Sequence, residues 1–216
     1  MESGTLQLEE KTFDLRKILG ESTGIVEMQG HEKGISLNMA TVNIIHNQLV
    51  GSPLHLQQIL QNIGSNAVNY NHVGGKIIVG CQEISSDDRT AVFEFTCTDN
   101  GIGMSEEFQE HLFEPFTQEN RLEQKANMGT GLGMTIVSQL VKLMGGQICF
   151  TSKVDEGTSF VITLPFQISS DRESKTPESS VENVSLKGKR ALLVEDNELN
   201  MEIAQFILEN ENMQVS

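Results

Sequence analysis

The chain has 216 residues, 38% apolar and 21% charged, which suffices for a sizeable core and one or two soluble globular domains. Its net charge of -15 argues against a nucleic-acid partner, because phosphate-backbone binding rests on Lys and Arg clusters that are missing here. A small nucleotide is not excluded, since backbone N–H groups and a cation can hold its phosphates.

In chain order, Phe13 and Ile18 bracket Asp14 with the spacing of a hydrophobic staple. A first helix is therefore expected to start near Asp14, with Leu15, Ile18, Leu19, Ile25 and Val26 on its apolar face. KGISLNMA (33–40) and NIIHNQLVG (43–51) read as two strands separated by a short turn. SPLHLQQILQNIGSNAVNY (52–70) reads as a second helix, with Ser52 as N-cap and Pro53 at the first helical position. Leu56, Ile59, Leu60, Ile63 and Ala67 form its buried stripe. Gln58, Asn62, Asn66 and Asn69 form another, and none is charged. Asn competes for backbone hydrogen bonds and is a poor helix former, so a stripe of amides calls for a reason other than solvation.

GGKIIVGCQEI (74–84) and AVFEFTCTD (91–99) flank the polar turn SSDDRT and read as a hairpin. Residues 99–131 carry many Gly, Asn, Gln and Glu and read as a long loop with one helical turn. Such a loop inside a compact domain is usually functional. GLGMTIVSQLVKLMGG (131–146) reads as a helix closed by Gly145 and Gly146, and QICFTSK and TSFVITLPF as a final hairpin across VDEG. From Ile168 the composition turns polar, so residues 168–187 read as a flexible linker. KRALLVEDNELNMEIAQFILEN then starts a β–α unit with too few residues after it to close another core.

Cys81, Cys97 and Cys149 lie in apolar strand-like runs without zinc-ligand spacing, and buried structural thiols in a reducing compartment are expected. No apolar run reaches membrane-spanning length, and MESGTLQLEE lacks the layout of a signal peptide, so a cytoplasmic chain is expected.

Three glycine-bearing segments carry candidate chemistry. In TDNGIGM a strand ends at Asp99, and Gly101 and Gly103 allow a tight turn beside a carboxylate able to accept from an exocyclic amine. In GTGLGM, Gly129 to Met134, glycines open a helix whose N-terminal N–H groups suit phosphate oxygens. The third is DEGTSF. Taken alone these are also a plain Asp-Asn-Gly turn, an unliganded glycine-rich helix start and an ordinary hairpin turn. Neither the Walker nor the Rossmann glycine spacing is present. Asn62 and Asn66 lie one turn apart on the amide face, where their carbonyl oxygens could ligate magnesium without adding negative charge beside an anionic triphosphate.

Asn62 and Asn66-Ala67, Asp99-x-Gly101-x-Gly103, LFEPF (112–116), GTGLGM and GTSF occur in the order of the boxes of one family. Over residues 1–167 the chain resembles the catalytic ATP-binding domain of sensor histidine kinases, within the GHKL (Bergerat) ATPase superfamily. ALLVEDNELNMEIAQFILE resembles the first strand and helix of a response-regulator receiver domain, with Glu195 and Asp196 at its acidic metal-binding positions. Residues 1–10 resemble the exit from dimerisation helices. The whole is similar to part of a hybrid sensor histidine kinase, expected to be truncated at both ends, with the receiver start at 188–216.

The resemblance implies a two-layer α/β sandwich, a mixed and mainly antiparallel sheet with helices on one face, plus a truncated β–α receiver fragment. It implies that Asn62 and Asn66 hold Mg2+ and the phosphates of ATP. Asp99 would read the adenine amine with Gly101 and Gly103 nearby and Thr158 supporting through water. Gly129, Thr130, Gly131, Leu132 and Gly133 would contact phosphates. Residues 104–128 would form a lid anchored by Phe113 and Phe116, with Lys125 at the γ-phosphate. Asn69 stands where the family usually carries Lys or Arg, Met128 where a lid glycine is common, and Ser52 where Asp often precedes the Pro.

None of His31, His46, His55, His72 and His111 has the setting of a phosphoacceptor, and each is expected to be a surface or loop histidine. The implied function is to bind Mg-ATP and present its γ-phosphate to a histidine on a dimerisation domain not present here, in a phosphorelay that includes a receiver domain. The alternatives are a non-catalytic nucleotide-sensing or partner-binding remnant and a hydrolysing ATPase of the same fold. Hydrolysing relatives carry a Glu base where this chain has Asn62, and an amide cannot take a proton from water.

Overall fold

The computed structural model describes residues 9–119 and 130–169, together with the backbone of Arg190–Ala191 and Gln214–Val215. Residues Met1–Ser170 form one compact unit and Asp171–Ser216 another.

The first unit begins with a short strand, β1 (Lys11–Asp14), which runs directly into α1 (Leu15–His31). Asp14 makes the transition: its Oδ1 accepts the Lys17 N–H at 2.9 Å, the expected N-cap. Its Oδ2 accepts from Asn47 Nδ2 and Gln48 Nε2, which ties the start of the helix to β3 (Gln48–Gly51). β1 pairs antiparallel with β3. The seven-stranded sheet continues from β3 to β7 (Gly157–Ile168), β5 (Thr90–Asp99), β4 (Lys76–Ser86) and β2 (Ser36–Val42), while β6 (Gln147–Lys153) also pairs with β7. All these pairings are antiparallel except β2–β4. The sheet is mixed and mainly antiparallel, as the resemblance implies.

Strict alternation sends Ala91, Phe93, Phe95 and Cys97 of β5, and Phe160, Ile162, Leu164 and Phe166 of β7, to one buried face. Helices α1, α2 (Pro53–Asn69) and α4 (Gly133–Leu143) cover that face with Leu15, Leu19 and Val26, then Leu56, Ile59 and Ile63, then Val137, Leu140 and Val141. Each such side chain contributes about 1.5–3 kcal/mol by leaving water. α4 closes in a Schellman motif: Gly146 N–H donates to Val141 O at 2.9 Å, and Gly145 N–H to Lys142 O at 3.1 Å.

Three expectations need correction. The strand expected over 43–51 forms only at Gln48–Gly51. Asn43 has φ 53°, and the Ile45 and His46 N–H groups both donate to Glu83 Oε2 at 2.9 Å, so a side chain takes donors that a ladder would use. Ser52 does occupy the N-cap of α2, yet its hydroxyl bonds His55 Nδ1 at 2.7 Å instead of a helix N–H. His55 is therefore buried, not a surface histidine. Cys81 and Cys97 are buried as expected, whereas Cys149 is exposed on β6.

In the second unit Arg190–Ala191 pairs in parallel with Gln214–Val215. The helix expected after residue 191, and with it Glu195 and Asp196, lies outside the described residues.

Candidate functional site

The amide face of α2 borders a cavity of about 280 Å³. Asn62, Asn66 and Asn69 line it on one side; Asn62 and Asn66 are half-buried and Asn69 is exposed. Gln58, one turn before Asn62, is exposed and lies outside it. The floor comes from the ends of β5 and β7, where Asp99 and Thr158 are register partners. Facing α2 is the start of α4, with Thr130, Gly131 and Gly133 on the lining.

Asp99 is fixed by its own turn, since its Oδ1 accepts the Gly101 N–H at 2.8 Å. Burial raises its carboxyl above the ordinary value, and the N–H groups of Gly101 and Thr158 pull it back down. The following turn needs glycine: Gly103 has φ 60°, and a Cβ there would collide with Lys153 O. Gly131, at φ 69°, is equally constrained, since a Cβ would press on the Phe116 backbone 2.9 Å away.

The N-cap of α4 is Leu132, and no side chain caps that terminus. The first N–H groups of a helix have no intrahelical partner, and the helix dipole favours negative charge there. A Cβ on Gly133 would stand 3.6 Å from Asn62 Oδ1, so the amide face and this helix start lie close together. Among the described residues the charged groups on the lining are Asp99 and Glu119, and no Lys or Arg lines the cavity. Among these lining residues, what can meet an anion is N–H groups and amides.

Of the residues singled out from the sequence, the structure gathers Asn62, Asn66, Asn69, Asp99, Gly103, Thr130, Gly131, Gly133 and Thr158 around one cavity. Gly101 and Leu132 support it from behind, through the Asp99 turn and the N-cap. The Phe116 ring is 75% exposed and does not line the cavity; its N–H donates to Gly131 O at 3.1 Å, so its backbone makes the contact. Phe113 packs edge-on against Phe150 at 5.8 Å between ring centres. Lys125, Gly129 and Met128 lie outside the described residues.

Sequence reading missed Tyr70, which ends the amide stripe four residues after Asn66 and lines the cavity. Burial first, then the nearby Glu119 carboxylate, raises its phenol above the ordinary value. Ile102, Met104, Phe108 and Leu112 supply an apolar wall from the 99–131 segment. That segment looks polar in composition, and its few apolar residues are scattered along it, with Phe108 alone of the four on helix α3 (Glu106–His111).

Residues 51–168, more than half of the chain, match the family described as histidine kinase-, DNA gyrase B-, and HSP90-like ATPase. The chain belongs to this family. The match runs from the end of β3 to the end of β7, so this ATPase family accounts for every wall of the cavity. The chain is 32% identical over 197 residues to the signal transduction histidine-protein kinase BarA of Escherichia coli (strain K12), covering 91% of this chain and 21% of BarA. It is 30% identical over its whole length to the autoinducer 2 sensor kinase/phosphatase LuxQ of Vibrio vulnificus (strain YJ016), covering 25% of that protein. The chain thus spans about a fifth to a quarter of the length of these curated relatives. Full-length ShkA, solved in complex with AMPPNP, superposes with a TM-score of 0.63 at 22% identity, covering 99% of this chain and 41% of ShkA. That likeness shows the fold. Among the described residues no helix is long and apolar enough to cross a membrane.

Proposed function

We propose that this ATPase-family domain binds Mg-ATP and presents the γ-phosphate to a histidine on a separate dimerisation domain, as the catalytic module of a sensor kinase. One observation carries the reading: a cavity lined by an uncharged amide face, with an uncapped helix N-terminus close beside it and a turn-fixed carboxylate on its floor. An amide wall beside a triphosphate avoids repulsion that a Glu or Asp wall would add. Asn62 and Asn66 hold the cation through their carbonyl oxygens, which suits a hard ion that keeps several waters. Magnesium, when bound, neutralises phosphate charge. Thr130, Gly131 and Gly133, with Gly129 and Leu132 beside them, offer backbone N–H groups to phosphate oxygens. Asp99 accepts from the amine of the base, Thr158 supports it, and Tyr70 and the apolar wall cover the ring. Lys125 completes the charge balance at the γ-phosphate.

Asn62 in place of a carboxylate base counts against a hydrolysing ATPase, so the domain positions the phosphoryl group and leaves the nucleophile to its partner. The AMPPNP bound to ShkA supports the nucleotide reading of the shared fold. Residues 188–216 are proposed as the start of a receiver domain, with Glu195 and Asp196 in its acidic site. A nucleotide-sensing role without transfer is the second reading, favoured by Asn69, which leaves the lining without a cation among the described residues. Incubation with γ-labelled ATP, magnesium and a phosphoacceptor helix pair supplied in trans separates the two. Acid-labile, base-stable label on the acceptor supports the catalytic module; nucleotide binding without any transfer supports the sensor.

A further inference from the structure

A second cavity, of about 40 Å³, lies between α1, α2 and the sheet, on the opposite side of α2 from the amide face. Leu60, Ile63 and Gly64 of α2 line it, whereas Asn62, Asn66 and Asn69 line the larger cavity, so the helix partitions the two. A Cβ on Gly64 would collide with the Val26 side chain, which shows how closely α1 and α2 approach at that point. One turn before Val26, Ser22 also lines the cavity. It is 3% exposed, and its hydroxyl has no hydrogen-bond partner among the described residues. The neighbouring Thr23 differs: its hydroxyl donates to Leu19 O at 2.7 Å, back along the helix. The other buried hydroxyl without a partner among the described residues, that of Thr135, lines neither cavity.

A buried hydroxyl left unpaired is unfavourable, and a ligand that pairs it removes that cost. Apart from Ser22, Thr23, Thr96 and the Cys97 thiol, the lining is apolar or glycine. A water occupies roughly 10–15 Å³ on this scale and needs about two to four polar partners. The space therefore takes a molecule of a few heavy atoms, and its lining suits one polar atom on a short apolar body. Met39 of β2 stands at the rim, 41% exposed, with Sδ 3.6 Å from Thr23 Oγ1. A flexible thioether side chain there gives way readily to an entering ligand. We propose that this cavity is a binding site for a compact apolar molecule carrying one hydrogen-bonding oxygen, of the class of short-chain alcohols, with that oxygen on Ser22 Oγ. The site is separate from the larger cavity and does not depend on the ligand taken there.

The test titrates n-butanol into the full chain, with the methyl groups observed by NMR. Saturable shifts are expected at Leu19, Val26, Leu60 and Ile63, with intermolecular NOEs from butanol to those methyls, while Leu15 and Leu49, buried elsewhere in the core, stay still. Ser22→Ala removes the partner of the alcohol oxygen, and the dissociation constant is expected to rise about threefold to tenfold, the worth of one hydrogen bond. Ser22→Val fills the space and abolishes the shifts. Equal affinity in Ser22→Ala overturns the inference. Shifts that grow without saturating and spread over the surface, with no NOE to the lining, mark a cavity that takes water only and overturn it as well. Where neither variant folds, the NOEs on the unsubstituted chain decide: their presence at the lining supports the site, and their absence overturns it.

Discussion

Lys33, just beyond α1, reaches across to α2 and donates from Nζ to the carbonyl oxygens of Val68 at 3.1 Å and Asn69 at 3.2 Å. The last carbonyls of a helix lack intrahelical partners, and a cation there also opposes the helix dipole. That turn of α2 carries Asn66, Asn69 and Tyr70, so Lys33 stabilises the frame of the cavity from outside it. Lys33→Met is expected to destabilise the chain by about 1 kcal/mol. Amide exchange at Asn69–Asn71 should speed up, and nucleotide affinity should fall a few-fold. Unchanged exchange at these residues would contradict this assignment.

Asp99 trades stability for binding. Burial raises its carboxyl, so the folded chain holds that proton to higher pH than the unfolded chain does. Stability at this site therefore falls as pH rises from the ordinary carboxylate value through the raised one, and stays lower above it. Asp99→Asn removes this penalty and keeps an oxygen for the Gly101 N–H. Its melting temperature should exceed that of the unsubstituted chain at pH 7, converge with it below the ordinary carboxylate range, and be accompanied by loss of ATP binding. A lower melting temperature at pH 7 would contradict the account.

The cysteines should divide sharply. Burial pushes the Cys81 and Cys97 thiols up to about 12, whereas Cys149 is exposed. Since the thiolate is the reactive form, a native chain should take up one equivalent of alkylating reagent, at Cys149, and three after denaturation. Mass spectrometry of the labelled peptides reads this directly. Rapid native labelling of Cys97 would show that the β5 floor of the cavity opens.

Much of this was legible in the sequence because it depends on local periodicity. The alternation in β5 and the paired apolar and amide stripes of α2 require only the pleat and the helical turn. What stayed hidden depends on distant partners. β1 escapes notice because only Phe13 of its four residues is buried, and its pairing with β3 joins segments far apart in the chain. The 43–47 stretch has strand-like composition, but a carboxylate from β4 captures its N–H groups. Tyr70 ends the amide stripe and reads as an ordinary helix-terminal residue until the Asp99 turn is placed beside it: Ile102 N–H donates to Tyr70 O at 3.0 Å.

Asn69 lines the cavity and is exposed, which leaves room for a longer cationic side chain. Asn69→Lys should tighten ATP binding by about threefold to tenfold at low ionic strength, with the gain shrinking as salt screens the exposed charge. Calorimetric titration at two salt concentrations measures both. No gain at low salt would place the phosphates away from the end of α2.

The central claim is that the amide face of α2 holds a magnesium–nucleotide complex. Titration of a fluorescent ATP analogue into the chain, with magnesium and with chelator, tests it most directly. Saturable micromolar binding is expected, weakening at least tenfold without magnesium and lost in Asn62→Ala and Asn66→Ala chains that melt normally. Absence of binding at high micromolar analogue, or binding indifferent both to magnesium and to these two amides, would contradict it.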